Sequence, residues 1–281
     1  MKLTALIPAH NDEYTLRFCL DSVLPVFDEV VVLDDCSDDS TPELLWCYKA
    51  RWKKLKVITN DSKQQHGWWR SRNRLLGATE NDRVFFLDSD DVLVEYNARV
   101  LAQIAAGDRP LVRLKLFELW GDFEHGTRHR TKTDNCHLFV NRAVVDDAEW
   151  GRSGSYGGTS AGLKQTKAPM SPHDGGVLFF HIKGCKSDRR LYERQQIRPW
   201  IREGMKGRLV EWANLATVPK EVMHQRALVM LLQSKQDPIK KLYPGGDVPQ
   251  RPKVICEAEP RFKIVYENGV PVDRTDAWEG R

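Results

Sequence analysis

The 281-residue sequence contains no C-x-x-C pair. Its six cysteines stand apart at positions 19, 36, 47, 136, 185 and 256, a scatter that argues against a zinc site. Cys19 and Cys47 fall on apolar helix faces and read as small core residues in a reducing compartment. No apolar run reaches the roughly 18–20 residues needed to span a bilayer, so no transmembrane segment and a cytoplasmic location are expected. The opening residues, Met1 to Pro8, lack the long apolar region and small-residue cleavage site of a signal peptide and read instead as a first strand. No G-x-G-x-x-G follows that strand, which disfavours the usual dinucleotide fold. No G-x-x-x-x-G-K-[ST] occurs, which excludes a P-loop enzyme. There is no internal repeat.

What is present is an ordinary globular composition, 41% hydrophobic and 29% charged, in a length that suits one large domain or a domain with an appendage. The chain is organised around Arg83-Val84-Phe85-Phe86-Leu87-Asp88-Ser89-Asp90-Asp91. An apolar run of this kind reads as a strand buried on both faces, with its acids at the C-terminal end, where open α/β sheets place ligands. Carboxylates this close repel unless a cation compensates, and hard oxygen ligands suit Mg²⁺ or Mn²⁺ together with a diphosphate. An acidic turn capping the next helix is the other reading of the same residues. Net charge is +4, with 13 Lys/Arg against 17 Asp/Glu in residues 1–100 and a net +8 in the rest. An acidic nucleotide and metal half followed by a basic half fits this split, and so does a mixed solvated surface.

Taken in order, Leu3–Ile7 is a strand, followed by Asn11 or Asp12 as helix cap and Leu16, Cys19, Leu20 and Val23 at helical spacing. Glu29–Leu33 is a second strand ending in Asp34-Asp35. Ser40 and Glu43 have capping-box spacing, with Pro42 in the first turn of the next helix. Leu55–Thr59 is a third strand, and a helix carrying Arg70, Arg72, Asn73 and Arg74 leads to the central stretch. This alternation predicts right-handed βαβ units and a parallel sheet, whose ends align Pro8–Asn11, Asp34–Asp35 and Asp88–Asp91. Val92–Ala106 reads as a helix and Leu111–Trp120 as one half-buried antiparallel strand. Residues 121–135 read as polar loop with a turn at Gly126, and His137–Val140 as a short, more exposed strand. Gly151–Gly162, with five glycines, reads as a mobile loop and lid, and Val177–Phe180 as a strand running into His181. A basic helix is expected from Ser187, where residues 183–208 carry nine Lys/Arg against three acids. Glu221–Gln233 reads as a helix, and Phe262–Tyr266 with Asn268-Gly269 as a hairpin.

Pro8-x-x-Asn11-x-Glu13 with Leu16-x-x-Cys19-Leu20-Asp21-Ser22-Val23, then Asp34-Asp35-x-Ser37-x-Asp39-x-Thr41, Gly67 with Arg72-Asn73, and Leu87-Asp88-Ser89-Asp90-Asp91 resemble four ordered blocks of family-2-type glycosyltransferases of the GT-A fold. The resemblance covers residues 3–94. It implies an α/β, GT-A-like (Rossmann-like), mainly parallel sheet flanked by helices, with a helical and irregular C-terminal extension. The expected division is a catalytic domain over 1–186, split near residue 100 into nucleotide/metal and acceptor halves, and a basic extension over 187–281. Cys36 stands where the family usually has Gly, so this turn is not expected to rely on positive φ. His10 stands where an aromatic is common.

The resemblance further implies a nucleotide-sugar donor, a UDP-sugar in the first instance, and Mn²⁺ or Mg²⁺ as cofactor. The Pro8, Ala9 and His10 backbone and the Asp35 carboxylate would hold the base. Asp88 would lie near ribose and metal, Asp90 would bind the metal, and Arg72 would support the phosphates or Asp34. His181 would complete the metal shell, with Lys183 or Lys186 reaching the diphosphate. Asp147, beside Asp146 and Glu149, and Asp174 are the candidates for the base that activates an acceptor hydroxyl. The acceptor is open among a modified nucleic-acid base, a protein and a small molecule. Asp88-x-Asp90 also fits the nucleophile motif of haloacid-dehalogenase-type phosphohydrolases, although that motif normally ends a first strand. A non-catalytic sugar-nucleotide binder is a third reading.

Overall fold

A computed structural model of the chain describes residues 1–60, 68–94, 97–119, 123, 125–132, 137–145, 148–152, 161–163, 168–173, 175–182, 191, 218–232, 236–238, 264–267 and 270–273. The frame is set by four apolar strands, β1 (Leu3–Ala9), β2 (Glu29–Asp34), β3 (Leu55–Thr59) and β4 (Arg83–Phe86). They lie parallel in the order β3-β2-β1-β4. Helices α1 (Leu16–Val23), α2 (Thr41–Arg51) and α3 (Trp68–Gly77) make the crossovers. β1 is buried along its whole length because its alternate side chains feed two cores. Ala5, Ile7 and Ala9 pack with α1 residues Leu16, Cys19 and Leu20. Leu6 packs on the other face with Leu75 and Leu76 of α3. This two-sided cover is what a parallel sheet requires.

The chain continues through β5 (Asp91–Leu93), α4 (Ala98–Ala106), β6 (Leu111–Arg113), β7 (Leu116–Leu119), β8 (His125–Lys132), β9 (Leu138–Asn141), β10 (Trp150–Arg152), β11 (Ala161–Leu163), β12 (Met170–Pro172) and β13 (Phe179–His181). After these come α5 (Lys220–Leu232), β14 (Gln236–Pro238), β15 (Ile264–Glu267) and β16 (Val270–Asp273). The first sheet extends past β4 through β9, β6 and β12, and only β9 runs against the rest. A second sheet has the order β14-β8-β7-β13-β5, and β10/β11 and β15/β16 are separate antiparallel pairs. The α/β class and the mainly parallel sheet are those expected. Among the described residues no helix is long and apolar enough to cross a membrane.

Several local expectations are corrected. Val92–Ala106 is not one helix: Asp91–Leu93 is a strand, and the helix is Ala98–Ala106. Val92 and Val94 pack into one core cluster and Leu93 into another, the period of two that a strand demands. Leu111–Trp120 is not one half-buried strand but β6 in the first sheet and β7 in the second. All four residues of β7 are buried, with Phe117 edge-on to Phe180 at 5.5 Å. The turn expected at Gly126 is instead inside β8, where Gly126 pairs with Leu119 beside a break in register. β9 is fully buried, and His137, which precedes it, is 2% exposed rather than lying on an exposed stretch. Neither expected helix cap forms: Thr15 and Ser40 hold the N-cap positions of α1 and α2 without side-chain cap bonds. The hairpin pairs Glu267 with Val270 across Asn268-Gly269 as expected. The β10 and β11 segments form the base of the Gly-rich stretch, whose residues 153–160 lie outside the described residues, as does the expected basic helix at 187.

Candidate active site

The C-terminal ends of β1, β2 and β4 open onto one edge of the first sheet. Pairing of Ala9 with Asp34 carries the chain of β1 into His10 beside the chain of β2 entering Asp35. The Asp35 N–H donates to Ala9 O at 2.8 Å, and His10 Nδ1 lies 2.8 Å from Asp35 O. His10 therefore holds the neighbouring loop. Asp35 is buried, and its carboxylate accepts from the Asn60 amide at the end of β3.

The two loops are laced together by the polar motif residues. Asn11 N–H donates to Ser37 Oγ at 2.9 Å, Asn11 Nδ2 to Asp38 Oδ1 at 2.9 Å, and Asp38 N–H returns to Asn11 Oδ1 at 2.9 Å. Asp12 N–H donates to Thr41 Oγ1, Glu13 N–H to Asp39 Oδ2, and Ser40 N–H to Glu13 Oε2. Asn11, Glu13, Ser37, Asp39 and Thr41 thus satisfy backbone donors that would otherwise lack partners in these turns. Among the described non-glycine residues, two are held in the left-handed region, Asn11 at φ 51° and Cys36 at φ 56°. The expectation that Cys36 avoids positive φ is therefore overturned: the turn keeps its left-handed geometry with a side chain in place, and Cys36 Sγ contacts Asn60 O at 3.0 Å.

The acidic end of β4 is built differently. Arg72, 3% exposed on α3, donates from Nη2 to Asp88 Oδ1 at 2.6 Å. Its guanidinium lies over the Trp150 ring at 4.7 Å and near Phe86 at 5.7 Å. Arg72 thus pairs with Asp88 and not with Asp34, whose Oδ1 accepts the Ser37 N–H at 3.1 Å. Asn73, the next residue, exchanges two hydrogen bonds with the Trp150 backbone, at 2.8 and 3.0 Å, fixing β10 against α3. Ser89 Oγ donates to Asp12, joining the acidic turn to the first loop.

Asp91 is completely buried. His181 Nδ1 lies 2.8 Å from its Oδ1, while its Oδ2 has His137 Nε2 at 2.9 Å and the Asp88 N–H at 2.7 Å. Burial pushes this carboxyl up, but the charge and hydrogen bonds of His137 and then His181 outweigh it and hold Asp91 below the usual carboxylate range. The two imidazoles meet nearly perpendicular with centroids 5.4 Å apart. Cys19, beneath the cluster, has its thiol pushed well up by burial and by the nearby charges of Asp91, Asp90, Asp88 and Asp12, so it stays protonated.

His181 arrives because β13 pairs with β5, opposing His181 to Asp91 and placing His181 Nδ1 3.6 Å from Asp90 Oδ1. The Ile182 N–H donates to Asp90 O at 2.8 Å, which pins the same junction. On its other side His181 is in register with buried Glu118 of β7, on the same face of the sheet by strand alternation. Ligand atoms of Asp88, His137 and His181, and of Asp90, Asp91 and His181, lie within 4.8 Å of one another in each set. Carboxylate oxygen with imidazole nitrogen suits Mn²⁺ and accommodates Mg²⁺ less readily.

The structure therefore brings Pro8, Ala9, His10, Asp35, Arg72, Asp88, Asp90 and His181 to one sheet edge. Asp147, Asp174, Lys183 and Lys186 lie outside the described residues. Sequence reasoning placed Asp91 in the acidic run without giving it a role, and missed His137 as a member of the cluster. The signal for His137 was present: it abuts the apolar Leu138-Phe139-Val140 run just as His181 abuts Phe179-Phe180.

Residues 4–131, which include all four motif blocks, match the model of the family described as Glycosyl transferase family 2. A poly(ribitol-phosphate) beta-glucosyltransferase of Bacillus spizizenii is 32% identical over 98 residues, 33% of this chain and 15% of that protein. The poly(ribitol-phosphate) beta-N-acetylglucosaminyltransferase TarS of Staphylococcus aureus is 34% identical over 113 residues, 38% of this chain and 18% of that protein. The chain thus spans less than a fifth of the length of these curated relatives. A crystal structure of S. aureus TarS 1-349 in complex with UDP superposes with a TM-score of 0.48 at 19% identity, over 81% of this chain and 71% of that one. Over residues 4–131, somewhat under half of its length, the chain is therefore similar to glycosyl transferase family 2.

Proposed function

We propose that the chain transfers a sugar from a nucleoside diphosphate sugar, in the first instance a UDP-sugar, to an acceptor hydroxyl. The observation that supports this most is the convergence of the Asp35 and Asp88–Asp91 turns on one sheet edge inside the family-matched region. That match spans the acidic motif and leaves the phosphohydrolase reading without support. In this proposal Asp35 accepts from the imide N–H of a uracil, and the loop bonds around His10 keep that acceptor in place before the donor arrives. Asp88, 31% exposed and clamped by Arg72, faces the ribose side.

Asp90, Asp88 and His181 are the residues that would hold Mn²⁺, which when bound supplies positive charge against the leaving diphosphate. The acceptor oxygen attacks the anomeric carbon while the bond from that carbon to the diphosphate oxygen breaks. The hydroxyl proton passes to a carboxylate base, for which Asp174 and Asp147 remain the proposed residues, and the nucleoside diphosphate departs. Lys183 and Lys186 are proposed to meet its phosphates.

The net +8 of residues 101–281 favours an anionic acceptor. Nucleic acid carrying a modified base is one such polymer. A polyol phosphate, named in the descriptions of two relatives, is another. The test is a panel of nucleotide sugars with Mn²⁺, scored for free nucleoside diphosphate, with and without each polymer. Uridine-selective release that stops with chelator and rises with one polymer is the expected result. Release from no donor would overturn the transferase reading, and full activity in chelator would overturn the metal assignment.

A further inference from the structure

Asp91 is the third acid of the run and the least exposed, so it is badly placed to meet a substrate. Its geometry is that of a hub. One carboxylate oxygen faces His181 Nδ1 at 2.8 Å, and the other meets the Asp88 N–H at 2.7 Å and His137 Nε2 at 2.9 Å. These partners come from the acidic turn, from the residue before β9 and from the end of β13, three segments that only the tertiary fold brings together. We propose that Asp91, supported by His137, is a positioning residue that fixes His181 as its Nδ1–H tautomer and so leaves Nε2 as the nitrogen with a lone pair for metal. The inference rests on the metal-assisted transfer proposed above.

The argument is one of donors and acceptors. A carboxylate accepts on both oxygens, so it can take the Nδ1–H of His181 on one side and the Asp88 N–H on the other, where His137 Nε2 also lies 2.9 Å away. An imidazole that gives its Nδ1 proton to a carboxylate keeps its lone pair on Nε2, and such outer partners commonly set the tautomer and ring direction of a metal-binding histidine. An amide in the same place accepts on one atom only. In Asp91→Asn the amide oxygen goes to the side where the Asp88 N–H and His137 converge, which turns the amide NH₂ toward His181 Nδ1. That nitrogen must then accept, and the ring proton moves to Nε2. His137, fully enclosed, keeps the carboxylate from rotating away from this arrangement, and its nearly perpendicular contact with His181 limits the ring's swing.

The experiment uses the full chain without donor. Nitrogen NMR of the imidazoles at about pH 8, above the ordinary imidazole range, reads the tautomer of His181 in metal-free protein. Calorimetry with Mn²⁺ alone reads the affinity. The expected results are an Nδ1–H His181 in the wild type, an Nε2–H His181 in Asp91→Asn, and a fall in Mn²⁺ affinity of about 10- to 100-fold. If Asp91→Asn does not fold, His137→Gln carries the same two readouts, with a smaller fall in the same direction. An Nε2–H tautomer in the wild type, or a variant with unchanged tautomer and unchanged affinity, would overturn the proposal. Wild-type protein that binds no Mn²⁺ would overturn the metal centre proposed for the function, and the tautomer measurement would then decide the role of Asp91 by itself.

Discussion

The two parts of the candidate site share one sheet edge and are held in opposite ways. The turns after β1 and β2 are braced by neutral and single-charge hydrogen bonds between partners 25–29 residues apart, most of them donated by a backbone N–H to a side-chain oxygen. The turn after β4 holds three carboxylates, and its partners come from Arg72 on α3, from His137 before β9 and from His181, 90 residues beyond Asp91. A turn needs only its own backbone satisfied, and nearby side chains can do that. Clustered carboxylates need opposite charge, which local chain rarely supplies without also disrupting the turn. The acidic turn is therefore what ties the second sheet to the first, through the β5–β13 pairing.

The sharpest way to separate the two parts is Asp90→Asn. It keeps the shape of the turn while removing the negative charge proposed for metal. Turnover should fall more than about 100-fold, because charge stabilisation of this kind supplies several kcal/mol of the barrier. Melting should barely move. A variant that keeps wild-type turnover would remove the distinction between a chemical turn and a scaffolding turn.

On the other side, Asp35→Ala should leave turnover at saturating donor much less affected and weaken donor binding by about 1.5–3 kcal/mol, the range for a hydrogen bond to a charged acceptor. Calorimetry with UDP measures it. Unchanged affinity would move base recognition away from the β2 end. Arg72→Met tests the clamp between α3 and the acidic turn. A fully buried pair loses roughly 3–5 kcal/mol when one partner goes, but Asp88 is 31% exposed and keeps some water, so a loss of about 1–2 kcal/mol in chemical denaturation is expected. Methionine retains contact with Trp150 and Phe86, so a larger loss would mean that the guanidinium stacking matters as much as the charge.

The same contrast explains what could be read from the chain itself. The parallel strands, their order of acids and the crossover helices were legible because each rests on a local pattern: a buried apolar run, a polar end, a helical period. Asp35, Asp88 and Asp90 stood out because they end such runs. His137 was misjudged because its burial depends on β9 slotting between β4 and β6, a non-local pairing that no local period reports. Val92–Leu93 looked helical for the same reason, since its strand exists only through β13. The motif acids and hydroxyls of the first two loops were legible as a pattern and misread in purpose. Asp12 and Ser40 looked like helix caps, whereas Asp12 accepts from Ser89 and the backbone N–H of Ser40 donates to Glu13.

The smallest effect is expected at Cys36, and its sign is informative. At φ 56° a residue with a Cβ carries a cost of roughly 1–2 kcal/mol that glycine escapes. Against this, glycine loses more chain entropy on folding, about 0.5–1 kcal/mol, and Cys36→Gly also removes the Sγ contact to Asn60 O. The net should be stabilising by less than about 1 kcal/mol, read as a small rise in denaturation midpoint with unchanged slope. Donor affinity should hold, because the loop is positioned by Asn11, Ser37 and Asp38 rather than by the thiol. A clear loss of stability would mean that the Cys36–Asn60 contact anchors the end of β3 to this turn. Asn60 also donates to Asp35, so the base-side edge would then depend on a tertiary tether much as the acidic edge does.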